Sequence, residues 1–382
     1  MKIVVAPDSF KGCLLSPDVA AAIGEGVRRA APCAEIVEVP VADGGEGTVY
    51  ALVSATGGKI VSVPVEGPLG EPTNAAFGLL GDGTTAAIEM AAASGLPLVP
   101  PDKRDPTKTS TYGTGQLIRA ALDMGAQELI VGIGGSATND AGCGMAQALG
   151  VRFLDATGTP IERVTGGRLL DVARIDVSDR DKRLAETRIR VACDVDNPLY
   201  GPTGAARVYA PQKGATPEQV ELLDRGLRHI AEVIQRDLGL DIANVPGAGA
   251  AGGLGAGLMA FCGAQLEPGI RIVLEAVRLA EKMQSAELCI TGEGRIDEQT
   301  AYGKAPAGVA EIARRSGAVV VALGGSIALE TGLLHDIGFS AVFSIVPGPM
   351  PLDEAMRPDT ARALLAAAGE QVVRLFMAAR RP

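Results

Sequence analysis

The sequence contains no tryptophan, and aromatic residues make up only 3% of its 382 positions. Its interior must therefore be filled by Ala, Val, Leu and Ile rather than by large rings. The same scarcity removes the stacking platforms of a single-strand binder, and no Lys/Arg block is present. A net charge of −10 argues further against nucleic acid as a partner. The two histidines, His229 and His335, fall in or beside helical segments and read as surface or packing residues, which disfavours Ser-His-Asp and His-zinc chemistry. Cys13, Cys33, Cys143, Cys193, Cys262 and Cys289 form no CxxC pair, so free thiols in a reducing compartment are expected. No long apolar region of the signal-peptide kind precedes the first strand. The longest uncharged run, 245–266, reads as a glycine loop plus a buried helix rather than a membrane span. A soluble cytoplasmic protein with no nucleic-acid or membrane partner is expected. Familiar nucleotide signatures are missing too. Gly303-Lys304 runs into Ala305 and lacks the preceding Gly of a P-loop; no HRD or DFG appears, and no GxGxxG follows the first strand.

What is present suits two domains with a sizeable core: 47% apolar residues and 21% charged. The 50 glycines are spread through turns between apolar segments. A strand at 3–6 precedes Pro7-Asp8-Ser9-Phe10-Lys11-Gly12, and Ser16-Pro17 opens a helix to about Ala30, with Ser16 as its cap. A strand near 35–41 ends in Ala42-Asp43-Gly44-Gly45-Glu46-Gly47-Thr48, and a helix through 50–55 closes at Gly57-Gly58. This alternation implies a parallel sheet. After Gly67-Pro68-Leu69-Gly70 the pattern changes, and strand-like runs flank the hairpin signal Gly81-Asp82-Gly83. A helix to about 124, strands at 128–133 and 188–193, and an amphipathic helix from Thr216-Pro217 follow, the last with Val220, Leu223, Leu227, Ile230 and Ile234 on one face. Alternation returns with a helix over 270–283, a short strand at 288, a helix at 309–315, strands at 319–323 and 341–346, and a C-terminal helix. The expected architecture is therefore α/β with two domains: a doubly wound parallel sheet from 1–67 and 266–382, interrupted by a mixed α/β domain at 68–265.

Chemistry gathers where strands end. In Leu288-Cys289-Ile290-Thr291-Gly292-Glu293-Gly294-Arg295-Ile296-Asp297 an apolar run flips to charged residues at the carboxyl end of a strand, where open α/β sheets bind ligands. Asp8, Asp43, Glu46, Asp194, Asp196, Glu293 and Asp297 occupy such ends. Mg²⁺ is typically held by one or two carboxylates plus phosphate oxygens, and a carboxylate can also take a hydroxyl proton. Lys11, Arg295 and Lys304 could neutralise phosphate charge. Gly134-Gly135-Ser136-Ala137-Thr138 and Gly247-Ala248-Gly249-Ala250-Ala251-Gly252-Gly253-Leu254-Gly255 fit phosphate cradles ahead of helices, although either could equally be a tight turn. The residues alone point to a metal-assisted phosphotransferase of unnamed substrate.

These loops, in this order, resemble those of the glycerate kinase family, the bacterial type unrelated to P-loop kinases. The resemblance spans essentially the full chain, from Ala6-Pro7-Asp8-Ser9-Phe10-Lys11-Gly12 and Val41-Ala42-Asp43-Gly44-Gly45-Glu46-Gly47-Thr48 onward. It continues through Ser110-Thr111-Tyr112-Gly113-Thr114-Gly115, Gly132-Ile133-Gly134-Gly135-Ser136-Ala137-Thr138-Asn139-Asp140 and Cys193-Asp194-Val195-Asp196-Asn197-Pro198-Leu199. Ala210-Pro211-Gln212-Lys213-Gly214-Ala215, the 246–255 glycine run and Thr291-Gly292-Glu293-Gly294-Arg295-Ile296-Asp297 complete it. Cys143 stands where a smaller residue is expected, a departure that removes no chemical group.

The resemblance implies ATP-dependent, Mg²⁺-assisted phosphorylation of D-glycerate, usually at the 2-hydroxyl to give 2-phosphoglycerate and ADP. It also implies a flavodoxin-like domain interrupted by a second α/β domain, with the site in the cleft between them. On that footing Lys11 or Arg295 would hold the glycerate carboxylate, and Asp194 or Asp43 would be the base. Asp8, Ser9, Glu46, Glu293 and Asp297 would line the acceptor, with Glu293, Asp297, Asp194 and Asp196 available to metal. Gly134, Gly135, Ser136, Thr138, Asn139, Gly252, Gly253 and Gly255 would approach the nucleotide. Transfer to the 3-hydroxyl, a related hydroxy acid as acceptor, and a non-catalytic sugar-acid sensor stay open, as does a homo-oligomer.

Overall fold

The computed structural model describes residues 1–301, 304–328 and 332–380. Its contacts divide the chain into two compact units. One comprises Met1–Asp43, Gly47–Gly58 and Ile270–Pro382; the other comprises Gly44–Glu46 and Lys59–Gly269.

Among the described residues the first unit has a five-stranded sheet, ordered Glu35–Glu38, Lys2–Val5, Leu288–Ile296, Val319–Ile327, Ala341–Ser344 from edge to edge. Every pairing is parallel. Numbered along the chain within this unit, the order is 2-1-3-4-5, the flavodoxin-like doubly wound arrangement. Parallel strands covered on both faces must be apolar throughout. Ile3, Val4, Val5, Leu288, Cys289 and Ile290 are accordingly all fully buried. The helix Ser16–Ala30 begins one residue before the expected start, with Pro17 in its first turn, where a missing N–H costs nothing. It packs on the C-terminal helix Pro358–Ala379. Glycines permit that approach: a Cβ on Gly26 would fall on the carbonyl of Ala366, and one on Gly369 would press the backbone of Ile23.

The second unit holds a six-stranded sheet ordered Gln265–Glu267, Arg188–Ala192, Glu128–Gly132, Thr85–Glu89, Pro72–Leu79, Lys59–Glu66. Its first four strands are parallel and the last two join antiparallel, so the expected mixed sheet is observed. The hairpin forms at Gly81-Asp82-Gly83, where the Asp82 carboxylate accepts the N–H groups of Thr84 and Thr85 at 2.9 and 2.8 Å. Helix Pro217–Leu238 carries a reciprocal capping box between Thr216 and Gln219 and ends at Gly239 in the left-handed conformation. Leu223, Leu227, Ile230 and Ile234 are buried, and Val220 packs at the margin of the same core.

Several expectations need correction. The strand expected over 35–41 stops at Glu38. The helix expected over 270–283 breaks into Gly269–Ala276 and Leu279–Lys282, with Arg278 between them at φ 54°. The strand Lys59–Glu66 was not anticipated; its Pro64 is tolerated because the strand is the sheet's edge. The second sheet therefore begins before Gly67, ahead of the expected boundary. His229 Nε2 donates to the Val172 carbonyl at 2.7 Å and His335 Nδ1 to the Phe339 carbonyl at 2.9 Å, both packing roles. No helix among the described residues is long and apolar enough to cross a membrane.

The helix contact yields a stability test. Gly26→Ala should destabilise the protein by about 1–3 kcal/mol through overpacking against Ala366. Gly348→Ala, whose Cβ would meet nothing, should leave the denaturation midpoint in place.

Candidate active site

The strand Leu288–Ile296 is longer than its neighbour Lys2–Val5, and the register pairs Ile3, Val4 and Val5 with Leu288, Cys289 and Ile290. On its other side it stays paired with Val319–Ile327 as far as Ile296 opposite Ile327. The Thr291–Ile296 portion, expected as a loop after a short strand, is thus strand. A Cβ on Gly292 would strike the backbone of Leu323, so this tight pairing requires glycine there. The chain leaving the shorter strand folds along the open flank. Ala6 N–H donates to the Ile290 carbonyl and Asp8 N–H to the Gly292 carbonyl, both at 2.8 Å. Thr291 Oγ1 donates back to the Ala6 carbonyl at 2.7 Å. These bonds seat Ser9 and Lys11 with Glu293, Arg295 and Asp297 around a cavity of about 670 Å³. It lies at the carboxyl ends of the strands, where the strand order reverses.

The charges here are crowded. Asp8 is 4% exposed and accepts the Ser9 N–H at 2.6 Å. Burial foremost, and Asp43 next, push its carboxyl up to about 7. Lys11 Nζ lies 3.3 Å from Asp43 Oδ2. Burial alone would lower the Lys11 ammonium, but Asp43 and Asp8 override it and hold its pKa above the ordinary value. Burial likewise raises the Glu293 carboxyl, against a 2.6 Å hydrogen bond from Thr300 Oγ1 and Lys304 Nζ at 3.4 Å. Arg295 Nε is 3.2 Å from Asp297 Oδ2, and Lys304 Nζ is 3.8 Å from Asp297 Oδ1. The buried Ser9 hydroxyl has no hydrogen-bond partner among the described residues. Asp8, Ser9, Lys11, Asp43, Glu293, Arg295 and Asp297 are therefore all brought together in the first unit.

The other sequence candidates belong to the second unit. Gly134 and Gly135 are exposed, and Gly135 adopts φ 73°. The segment behind them is pinned by Lys213, 2% exposed, whose Nζ donates to Ser136 Oγ at 2.6 Å and to the Thr138 carbonyl at 2.7 Å. Burial brings the Lys213 ammonium down to about 7. Asp140 is fully buried and accepts the Thr111 N–H, the Thr111 hydroxyl and the Gly142 N–H at 2.8, 2.9 and 3.1 Å. Burial raises its carboxyl. Thr138 Oγ1 and both side-chain polar atoms of Asn139 are buried without a partner among the described residues.

Gly252, Gly253 and Gly255 have a different role from the expected cradle. All three are buried, and Ala251, Gly252 and Gly253 are left-handed, interrupting the helix Ala250–Cys262. A Cβ on Gly252 would come within 2.6 Å of Asn139 Cα, and one on Gly253 within 2.9 Å of Ala141 Cα. Gly255 faces the Gly247 carbonyl in the same way. These glycines admit protein backbone. Glu46, Asp194 and Asp196 are exposed, and Asp194 Oδ1 accepts the Gly269 N–H at 2.9 Å. The expected set of four metal carboxylates thus divides, with Glu293 and Asp297 in the first unit and Asp194 and Asp196 in the second. Among the described residues no three His, Cys, Asp or Glu side chains are arranged to hold a metal by themselves. Sequence reasoning gave Thr300 and Lys213 no role. A lone Lys in Gln212-Lys213-Gly214 carries no mark distinguishing it from a surface lysine.

Comparison with known proteins agrees with this geometry. The model of the glycerate kinase family matches residues 3–377. A glycerate kinase of Bacillus subtilis (strain 168) is 54% identical over 355 residues, 93% of each chain. Glycerate 2-kinase of Escherichia coli (strain K12) is 53% identical over 357 residues, 94% of this chain and 93% of that one. The crystal structure of a candidate glycerate kinase 2 from Salmonella typhimurium LT2 superposes with a TM-score of 0.92 at 51% identity, covering 100% of this chain and 99% of that one. A match of this extent, over a chain whose strand ends carry these charged clusters, is decisive: the chain belongs to the glycerate kinase family.

Proposed function

We propose that the protein transfers the γ-phosphoryl group of ATP to the 2-hydroxyl of D-glycerate, giving 2-phosphoglycerate and ADP. Membership of the family supports the acceptor, and the name of the Escherichia coli relative, glycerate 2-kinase, supports the position. One observation carries the reading: Glu293 and Asp297 line a cavity at the strand ends with Lys11, Arg295 and Lys304, and Asp8 and Asp43 lie beside Lys11 in the same charged cluster. Phosphoryl transfer asks a protein chiefly for positioning and for neutralisation of spread negative charge.

Asp8 suits the base better than Asp43 or Asp194. It is the buried member of the three, and a carboxyl near neutrality is matched to taking a proton at working pH. As the hydroxyl oxygen bonds to phosphorus, its proton passes to Asp8, the bridging P–O bond of ATP breaks, and ADP departs. Asp43 holds Lys11 in place, and Lys11 or exposed Arg295 meets the glycerate carboxylate. Mg²⁺ fits the same cluster, since the mutual repulsion of Asp8, Asp43 and Glu293 is what a divalent cation relieves. Glu293 and Asp297 would hold it, and it would supply neutralisation of the transferring phosphoryl group. The exposed Gly134-Gly135 turn, pinned from behind by Lys213, is a separate anion-accepting element of the second unit.

A coupled assay should show ADP release with D-glycerate, and product analysis should give the 2-phosphate. Exclusive 3-phosphoglycerate would overturn the assigned hydroxyl, and faster turnover of a close hydroxy-acid analogue would overturn the acceptor. Asp8→Asn should lower kcat by about 10²–10⁴-fold with the fold retained.

The same residue sets a pH dependence. Its folded pKa, raised from 3.8 to about 7, means that the folded state keeps a proton which the unfolded state has released. Its contribution to stability is therefore present at low pH and is lost as pH rises from about 4 through about 7. Without metal or nucleotide, Asp8→Asn should gain in Tm relative to the parent between about pH 5 and about pH 8. A Tm difference that stays constant across that range would contradict the buried, proton-holding Asp8.

A further inference from the structure

The cavity of the first unit is large for the acceptor alone. Its volume of about 670 Å³ is in the range that accommodates drug-sized ligands, roughly 300–1,000 Å³, and a three-carbon acid fills only a fraction of it. Its lining is also of two kinds. One is the charged cluster of Lys11, Glu293, Arg295, Asp297 and Lys304. The other is apolar, formed by Ile345, Val346, Leu352, Ala355 and Met356, beyond the carboxyl end of the strand Ala341–Ser344. Leu352 is 74% exposed and Met356 37% exposed, an unfavourable placement for large apolar side chains facing water. Glycerate has no apolar face to cover them. The ligand implied has an anionic end, matched to Lys11, Arg295 and Lys304, and a flat apolar end of the size of a heterocycle.

Resting on the phosphotransferase reading, we propose that this apolar wall is the base subsite of the phosphoryl donor. The nucleobase lies against Leu352, Met356 and the Ile345-Val346 segment, and its phosphates run toward Lys304 and whichever of Lys11 and Arg295 does not hold the glycerate carboxylate. The position follows from the topology. The cavity starts at the reversal of strand order and continues across the carboxyl ends of the next two strands, marked by Ser326 and Ile345. Methionine suits the role because its flexible, polarisable thioether packs well against ring edges. Neither Leu352 nor Met356 can donate a hydrogen bond, so these two hold the base by contact area and do not read its polar edge.

The test uses the full-length protein carrying Leu352→Gln, Met356→Gln or both, with calorimetric binding of ADP and, separately, of tripolyphosphate, which has the charge but no base. The inference expects ADP binding to weaken by about tenfold in the double variant, tripolyphosphate binding to stay within about twofold, and KM for ATP to rise while KM for glycerate holds. Leu352→Gln alone changes a mostly exposed side chain and keeps the test valid if the double variant folds poorly. Unchanged ADP binding, equal weakening of ADP and tripolyphosphate, or a rise confined to KM for glycerate would each overturn the base subsite. ADP binding is read without glycerate, so a protein that binds ADP in this way yet does not phosphorylate glycerate would retain the subsite and lose only the proposed acceptor.

Discussion

The first unit depends on a mismatch of strand lengths. Leu288–Ile296 runs on after Lys2–Val5 has ended, and the register leaves one flank of its carboxyl half without a strand partner. Peptide groups on such a flank still have to be satisfied. Here the 6–8 segment does so, through the amides of Ala6 and Asp8 and the hydroxyl of Thr291. The hydrogen bonds that complete the sheet are therefore the ones that deliver Asp8 and Lys11 to Glu293. The switch from Ile290 to Glu293, core to charged rim, happens within a single strand, so Glu293 and Arg295 are placed by sheet pairing with Val319–Ile327.

Main-chain hydrogen bonding of that kind makes charge crowding sustainable. A mobile loop would swing Asp8 away from Asp43 and out to water; with its N–H held by the Gly292 carbonyl the side chain stays buried beside Asp43, and its carboxyl is pushed up to about 7. The second unit handles buried charge differently. Lys213 lies behind the 134–140 segment and Asp140 ends it, and burial drives the one down and the other up, each toward its neutral form. Hydrogen bonds, rather than Coulomb attraction, then do most of the holding: two from Lys213 and several to Asp140.

The order of elements could be read because their punctuation is local. Thr216 with Gln219, Gly239, and Gly81-Asp82-Gly83 each act within a few residues. The carboxylates and cations of the first unit were legible for a related reason, since charged residues directly after apolar runs mark strand ends. What escaped depended on distant partners. Gly-Glu-Gly-Arg has poor strand propensity and is held extended by pairing with Val319–Ile327. A glycine in sequence does not say whether its bare face meets ligand or backbone, which is why 252–255 looked like a cradle. Lys213 owes its importance to Ser136 and Thr138, far away along the chain.

The contact between Gly252-Gly253 and the 138–141 backbone has a consequence for how the protein tolerates change. Side-chain cores absorb substitutions by rotamer shifts, so parts resting on them drift slightly as sequences diverge. A main chain resting on another main chain has no rotamers to shift. The placement of this loop is therefore insulated from the repacking of the surrounding Ala- and Leu-rich core, which can vary freely while the loop behind Gly134 and Gly135 keeps its seat. The same contact leaves no small adjustment available at Gly252 or Gly253 themselves. That segment can be retained or lost, with no graded tuning in between.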